Sequence, residues 1–232
     1  PLEQWLPEPC QDVSLATGKD RMAILRRDGT LCVYDLRPQR TGPGKITHTF
    51  RVPPLSRCVL SPDGRWLATG SPAGNDAALT DLNGTAGPVP LPSVRRARAW
   101  LPVFNSTSRQ LAWSGYGTVL MEPEKPEELQ TPPHPPNESG GCGAVFIPTR
   151  DANITWLAAA GADGEVYLFE TRHPGRHFAT LRAPSGGRIG ELSIARSGRL
   201  VCALPRGEVH QWTLPEMRRH IEELGLSWES PQ

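Results

Sequence analysis

The side chains able to do chemistry are scattered along the chain, and no spacing gathers them into a reacting set. Gly115-Tyr116-Gly117, with Lys125 downstream, has the beginning of a glycine loop that folds over phosphates. Leu120 stands where a third glycine is needed, and neither an H-R-D nor a D-F-G stretch follows. The reading is therefore a β-turn. No G-x-x-x-x-G-K-[ST] stretch and no G-x-S-x-G elbow occurs. His173 and His177 would share one side of a helix and could hold a metal there. Pro174 and Gly175 lie between them and favour a turn instead. Gly140-Gly141-Cys142-Gly143 has the backbone freedom to cradle an anion, but it follows a proline-rich connection and reads better as a hinge. Glu127-Glu128 and Glu222-Glu223 sit in polar, solvated stretches. No catalytic, cofactor-binding or metal-binding residue is assigned on these grounds, and an enzyme is not expected.

The five cysteines are Cys10, Cys32, Cys58, Cys142 and Cys202, an odd number with no C-x-x-C pair. Neither a zinc site nor a complete disulfide framework fits that pattern. Leu31-Cys32-Val33, Cys58-Val59-Leu60 and Val201-Cys202-Ala203 place three of the thiols in apolar runs, where they act as small core side chains. A net charge of +1 does not indicate a dominant electrostatic grip on nucleic acid, and no nucleic-acid partner is expected. No apolar run approaches the roughly 20 residues that span a bilayer. A cytoplasmic location is expected, or an extracytoplasmic one if a parent protein is membrane-anchored. The opening, Pro1-Leu2-Glu3-Gln4-Trp5, reads as mid-protein sequence, so a fragment is expected.

The elements that would position any site follow a repeat. Short apolar strands recur at Leu31–Leu36, Ala78–Leu82, Val119–Glu122, Tyr167–Glu170 and His210–Leu214. Aligning Tyr34, Thr80, Met121, Phe169 and Trp212 gives intervals of 46, 41, 48 and 43 residues. Each strand follows a Gly- or Asp-rich turn, such as Asp28-Gly29, Asp163-Gly164 or Arg206-Gly207, which supplies the backbone conformations of a tight hairpin. A second apolar strand precedes each turn, at Arg21–Leu25, Trp66–Thr69, Gln110–Trp113, Thr155–Ala160 and Leu200–Leu204. A third comes earlier still, as in Arg57–Leu60. With an outer segment these make four-stranded antiparallel units near 12–54, 55–94, 95–139, 140–186 and 187–214, at the period of a propeller blade. A β-sandwich also has short strands and regular turns, but it does not require them in near-equal groups of four.

Two stretches carry a family resemblance. Leu60-Ser61-Pro62-Asp63-Gly64-Arg65-Trp66-Leu67-Ala68-Thr69-Gly70 resembles the F-S-P-D-G-x-x-L-A-T-G stretch of WD40 repeats. Gly161-Ala162-Asp163-Gly164-Glu165-Val166-Tyr167-Leu168-Phe169-Glu170 is similar to the S-x-D-G-x-V-x-L-W-D stretch that follows it. The resemblance covers about residues 12 to 214 and implies an all-β, WD40-like β-propeller of about five four-stranded blades, a partial or open ring. Blades of that family often carry a hydrogen-bonded network of His, Ser or Thr, Trp and a turn Asp. Here Asp28 and Asp163 take the turn position, Trp212 supplies the tryptophan, and Phe104-Asn105-Ser106-Thr107-Ser108-Arg109 replaces the S-P-D-G turn of the third unit. Apolar packing is expected to replace most of that network.

Residues 215–232 are read as a C-terminal helix and tail. Thr213 and Glu216 have capping-box spacing, Pro215 suits a first turn, and Met217, Ile221 and Leu224 share one face. Gly225 can end the helix in the left-handed conformation. The apolar face, with Trp228, is expected to dock on the last blade. Arg218-Arg219 through Leu224-Gly225-Leu226 and Trp228 resembles the ending of many bacterial WD-repeat proteins. Many of these carry a serine/threonine protein kinase domain far upstream, so the resemblance implies that one could precede this chain in its parent.

Two surface features suit a partner. Arg95, Arg96 and Arg98, ahead of Trp100, fall in a connection between units and would offer a basic, aromatic-flanked edge to an acidic protein segment; a solvated loop would look the same. Pro123–Pro136 would serve either as a polyproline II ligand or as a stiff outer strand. Asn83, Asn105, Asn137 and Asn153 each begin an N-glycosylation pattern. The expected function is a non-enzymatic protein-interaction scaffold without cofactor. The alternative is the sensory or regulatory propeller region of a larger bacterial kinase.

Overall fold

The computed structural model describes residues 10–37, 44–53, 55–72, 76–132, 143–147, 155–161, 164–195, 197–205 and 207–224. Among them the chain is a succession of antiparallel meanders. The first sheet has the order β1 (Cys10–Leu15), β2 (Arg21–Arg26), β3 (Thr30–Asp35), β4 (Lys45–Arg51). The second is β5 (Arg57–Leu60), β6 (Trp66–Gly70), β7 (Ala78–Asp81), β8 (Val89–Pro90). A short helix, α1 (Pro92–Arg96), leads into the third: β9 (Ala99–Phe104), β10 (Leu111–Gly115), β11 (Thr118–Glu122), β12 (Lys125–Gln130). The fourth is β13 (Ala144–Ile147), β14 (Trp156–Ala160), β15 (Glu165–Glu170), β16 (His177–Arg182). The fifth has three strands, β17 (Glu191–Ile194), β18 (Arg199–Ala203) and β19 (Val209–Thr213), and runs directly into α2 (Leu214–Glu223).

The chain forms two compact units, Pro1–Leu111 with Met121–Glu128, and Ala112–Leu120 with Leu129–Gln232. The strands of the third sheet are divided between them.

In the first unit, period-two alternation sends Ala23, Leu25, Leu31 and Val33 to one side of the first sheet. They meet Cys58, Leu60 and Leu67 of the second sheet in a common core, with Phe50 and Val52 packed at its edge. Leu25, Leu31 and Val33 have no exposed surface. Burying each such side chain contributes about 1.5–3 kcal/mol.

The turns of this unit are tied together as well. Ser61 Oγ donates to Asp63 Oδ1 at 2.6 Å and accepts the Trp66 N–H at 2.8 Å. Gly64 sits at φ 69°, the left-handed conformation that closes the S-P-D-G turn without a Cβ penalty. In the third sheet, Asn105 Oδ1 takes over by accepting the N–H groups of Arg109 and Gln110 at 3.0 and 3.1 Å, and Ser108 adopts the left-handed conformation at φ 61°. The Ser108 hydroxyl accepts the Asp63 N–H at 3.0 Å, joining the two turns.

The second unit has an equivalent core. Val145, Ile147, Ala158, Ala160, Val166 and Leu168 of the fourth sheet pack on Leu192, Leu200 and Cys202 of the fifth. Trp156 and Trp212 lie on strands, packed against this cluster.

Several expectations change. Among the described residues the fifth unit shows three strands rather than four. The expected capping box of α2 does not form: Thr213 is the N-cap residue but its side chain makes no cap bond. Leu214 anchors the helix start instead, buried, with its N–H donating to the Gly198 carbonyl at 3.2 Å. Met217 and Ile221 pack on the core as expected, whereas Leu224 is 75% exposed at the C-cap. Gly225 and Trp228 lie outside the described residues, as does Asp163. Within Pro123–Pro136, Lys125–Gln130 forms the outer strand β12, so that half of the segment is sheet rather than ligand. Pro133–Pro136 lie outside the described residues.

Candidate partner-binding surfaces

The basic connection is built by α1. Pro92 opens the helix, where its missing N–H costs nothing. Val94 is fully buried and pins the turn. Arg98 then reverses the chain at φ 48°, and β9 begins with Ala99 and Trp100. Arg96 and Arg98 are exposed. Trp100 is not part of that surface: it is buried on β9, because alternation along the strand turns it into the sheet packing. The expected aromatic flank of the basic edge is therefore core. Arg95 lies on α1.

A second surface was not anticipated from the sequence. Between β19 and α2 runs an open groove of about 450 Å³. Trp212, Met217 and Ile221 form its apolar floor, and Gln211, Thr213, Glu216 and His220 its polar rim. The groove exists because α2 starts one residue after β19 and packs through Leu214, leaving Met217 and Ile221 only half-buried. The His220 Nδ1–H donates to the Glu216 carbonyl at 2.9 Å, which holds the imidazole along the helix. The signal that could have revealed it is the placement of Trp212, Met217 and Ile221 within ten residues of one another at a strand–helix junction.

The two histidines considered for a metal do different things. His173 is exposed in a turn, with Nδ1 3.6 Å from Glu170, while His177 starts β16 and packs edge-on against Tyr167 at a centroid distance of 5.1 Å. Glu165 accepts short hydrogen bonds from the Tyr167 hydroxyl and from Arg182. Those two bonds, the Tyr167 one first, hold its carboxyl below the usual range. Burial and then the Glu165 carboxylate push the Tyr167 phenol up to about 12. Asp28, the turn aspartate, accepts the Thr30 N–H and hydroxyl at 2.8 Å each, with Arg51 alongside, and so serves its own hairpin. Cys32, Cys58 and Cys202 are buried free thiols, and burial raises the Cys58 thiol to about 12.

Of the glycosylation patterns, Asn105 is 4% exposed and its amide is engaged in the turn of the third sheet, so it is not an acceptor in the folded chain. Asn83 is exposed after β7. Asn137 and Asn153 lie outside the described residues. Among the described residues, no helix is long and apolar enough to cross a membrane.

No protein-family model matches the sequence, and no curated protein matches it. Solved structures do. The β-propeller domain of Cps50 (Swd1) from Myceliophteria thermophila is similar with a TM-score of 0.66 at 19% identity, over 90% of this chain and 66% of that one. Sqt1 from Saccharomyces cerevisiae is similar with a TM-score of 0.65 at 13% identity, over 90% of this chain and 59% of that one. The fold is a WD40-like β-propeller. The chain spans less than two thirds of the length of either structure. In the propeller, each meander is a blade, with β1, β5, β9, β13 and β17 as first strands. The S-P-D-G turn and its Asn105 counterpart join the first and second strands of their blades. The β19–α2 groove lies on the last blade.

Proposed function

We propose that this propeller is a non-enzymatic protein-interaction scaffold, and that the β19–α2 groove is where a protein segment docks. The observation that carries this reading is the combination of an apolar floor (Trp212, Met217, Ile221) with a polar rim, open to solvent. Such a groove receives one or two large apolar side chains while the rim fixes their orientation. β19 ends the order of its blade among the described residues, so an extended segment can also pair with it along the strand.

The test is capture of binding segments from a displayed peptide library by the full chain, compared with Ile221→Lys. The charge placed on the groove floor should abolish recovery of segments bearing large apolar residues while the thermal melt stays close to that of the parent chain. Recovery of the same segments by both chains would reject the groove.

The exposed Arg96 and Arg98 support a second contact, with an acidic segment, on the α1 side. The kinase-associated reading is supported by the resemblance of the tail around Arg218-Arg219 and by nothing further.

A further inference from the structure

The two rims of the meanders in the first unit differ in charge. At one rim β1, β3, β5 and β7 begin and β2, β4, β6 and β8 finish, as the pairings Cys10 with Arg26, Thr30 with Arg51, Arg57 with Gly70 and Ala78 with Pro90 show. The first two blades keep this alignment because Asp12 Oδ2 accepts the Cys58 N–H at 3.0 Å and Ser14 Oγ the Leu60 N–H at 2.9 Å. That rim carries Arg26, Arg27, Arg51, Arg57 and the α1 arginines. Its carboxylates among the described residues are Asp12, Asp28 and Asp76. Two are already engaged, Asp12 at 3.7 Å from Arg57 and Asp28 at 3.4 Å from Arg51. At the other rim acids and bases pair, as Arg65 does with Asp81 and Glu124, or Arg37 with Asp35.

Within the basic rim an apolar side chain is held out to solvent. Leu55 is 70% exposed and has a left-handed backbone at φ 63°, which costs energy for a residue with a branched side chain. Anchors before and after it impose that conformation. The Val52 N–H donates to the Gly29 carbonyl at 3.0 Å, which lays the β4–β5 connection beside the β2–β3 turn. Ser56 is buried, its hydroxyl donates to the Pro53 carbonyl at 2.7 Å, and its own carbonyl accepts the Gln11 side-chain amide at 2.7 Å. Leu55 thus stands in the chain between the exposed Arg51 and Arg57, with the exposed Arg27 on the adjoining turn.

A glycine takes this conformation at no steric cost, so the turn itself has no need of a leucine. A strained, exposed apolar residue among guanidinium groups fits a ligand that is both acidic and apolar. Carboxylates suit the planar fork of arginine, and a large apolar side chain covers Leu55 and takes it out of water. A nucleic-acid backbone would satisfy the arginines and leave Leu55 uncovered.

We propose that this rim docks an acidic protein segment bearing a large apolar residue between carboxylates, with Leu55 as the apolar anchor and Arg27, Arg51 and Arg57 as the cations around it. The α1 arginines lie on the same rim and extend it. This docking rests on the scaffold reading but not on the β19–α2 groove, which belongs to the second unit.

Fluorescence anisotropy of labelled peptides with the full chain at low salt tests this. The probes are Glu-Asp-Glu-Trp-Leu-Glu-Asp-Glu, the same peptide with every acid replaced by its amide, and the same peptide with Trp and Leu replaced by serine. The first should bind at least about tenfold more tightly than either control. Leu55→Gly keeps the backbone and removes the anchor, so it should weaken that binding about tenfold while melting no lower than the parent chain. Arg27→Glu should weaken it as well, and Ile221→Lys should bind as the parent does. Absence of binding, equal binding of the three peptides, or full affinity in Leu55→Gly or Arg27→Glu overturns the proposal. Loss in Ile221→Lys alone places the peptide in the groove, which overturns this site and leaves the scaffold reading standing. Tighter binding of a single-stranded oligothymidylate, unchanged in Leu55→Gly, makes the rim a nucleic-acid surface and overturns it too.

Discussion

Arg65 reaches back along its own blade to Asp81, placing Nε and Nη2 at 3.1 and 3.0 Å from one carboxylate oxygen. Its remaining nitrogen, Nη1, lies 2.7 Å from Glu124, and the guanidinium carbon sits 4.5 Å from the Trp66 ring centroid. One side chain therefore ties the S-P-D-G turn, the end of β7 and the β11–β12 turn. Burial alone would raise the Asp81 carboxyl, but the Arg65 bonds and charge together with the backbone N–H groups of Asn83 and Gly84 outweigh it and hold the group below its ordinary value. Arg65→Ala is expected to lower stability by about 1–2 kcal/mol, the sum of a partly screened ion pair and an aromatic contact. Urea unfolding of the two chains measures it, and added salt should shrink the gap.

Ser108 combines a left-handed backbone with a bond that another turn needs. Ser108→Ala removes the acceptor of the Asp63 N–H and keeps the strained conformation. Ser108→Gly removes the acceptor but relieves the strain. The alanine chain should therefore be less stable than the glycine chain, by about 1 kcal/mol. Equal unfolding midpoints would show that the backbone at 108 carries no strain.

Leu168 has no exposed surface and lies in the core shared by the fourth and fifth blades. Truncation to alanine leaves a cavity that packed strands on both sides cannot close, so the loss is expected at about 2–5 kcal/mol. Leu224→Ala, at a position 75% exposed, should change the midpoint very little.

The Glu165–Tyr167 pair sets limits on both sides of neutrality. The folded carboxyl sits below its ordinary 4.5, so between the two values the unfolded chain holds the extra proton. Stability from this group is full above about 4.5 and falls as pH drops through the folded value. The folded phenol sits at about 12 against an ordinary 10.0, so there the folded chain holds the extra proton, and stability falls as pH rises from 10 to 12. A tyrosinate absorbance titration should show one phenol ionising near 12, moving down in Glu165→Gln.

Cys58 should resist alkylation in the folded chain, since burial raises its thiol to about 12 and leaves almost no thiolate at neutral pH. Timed labelling followed by mass spectrometry should find Cys58 modified only after denaturant is added. Rapid labelling without denaturant would place it outside the core.

Much of the blade architecture was legible because a strand packed on both faces reads as a short apolar run ended by a turn. Arg21–Leu25 with Asp28-Gly29, or Trp66–Thr69 with Pro62-Asp63-Gly64, announce themselves in this way. The thiols were legible for the same reason. Trp100 was not: an aromatic beside three arginines looks like a recognition surface until the alternation of β9 turns it inward. The capping box failed because Thr213 belongs to β19 and Leu214 is held by burial and by Gly198, a distant residue. The turn of the third blade was seen as a departure, but that Asn105 and Ser108 rebuild it depended on a neighbouring turn.

Local order in this chain is written in its own residues. The period of forty-odd positions, the hairpin turns and the apolar alternation determine strands, their grouping and a propeller-like fold, because each depends on neighbours a few positions apart. What covers each face was decided only in three dimensions. Asp12-Val13-Ser14-Leu15 and Glu191-Leu192-Ser193-Ile194 are nearly the same string, yet one has its polar side occupied and the other its apolar side. Burial depends on the sheet that packs against a strand, and no local pattern specifies that sheet.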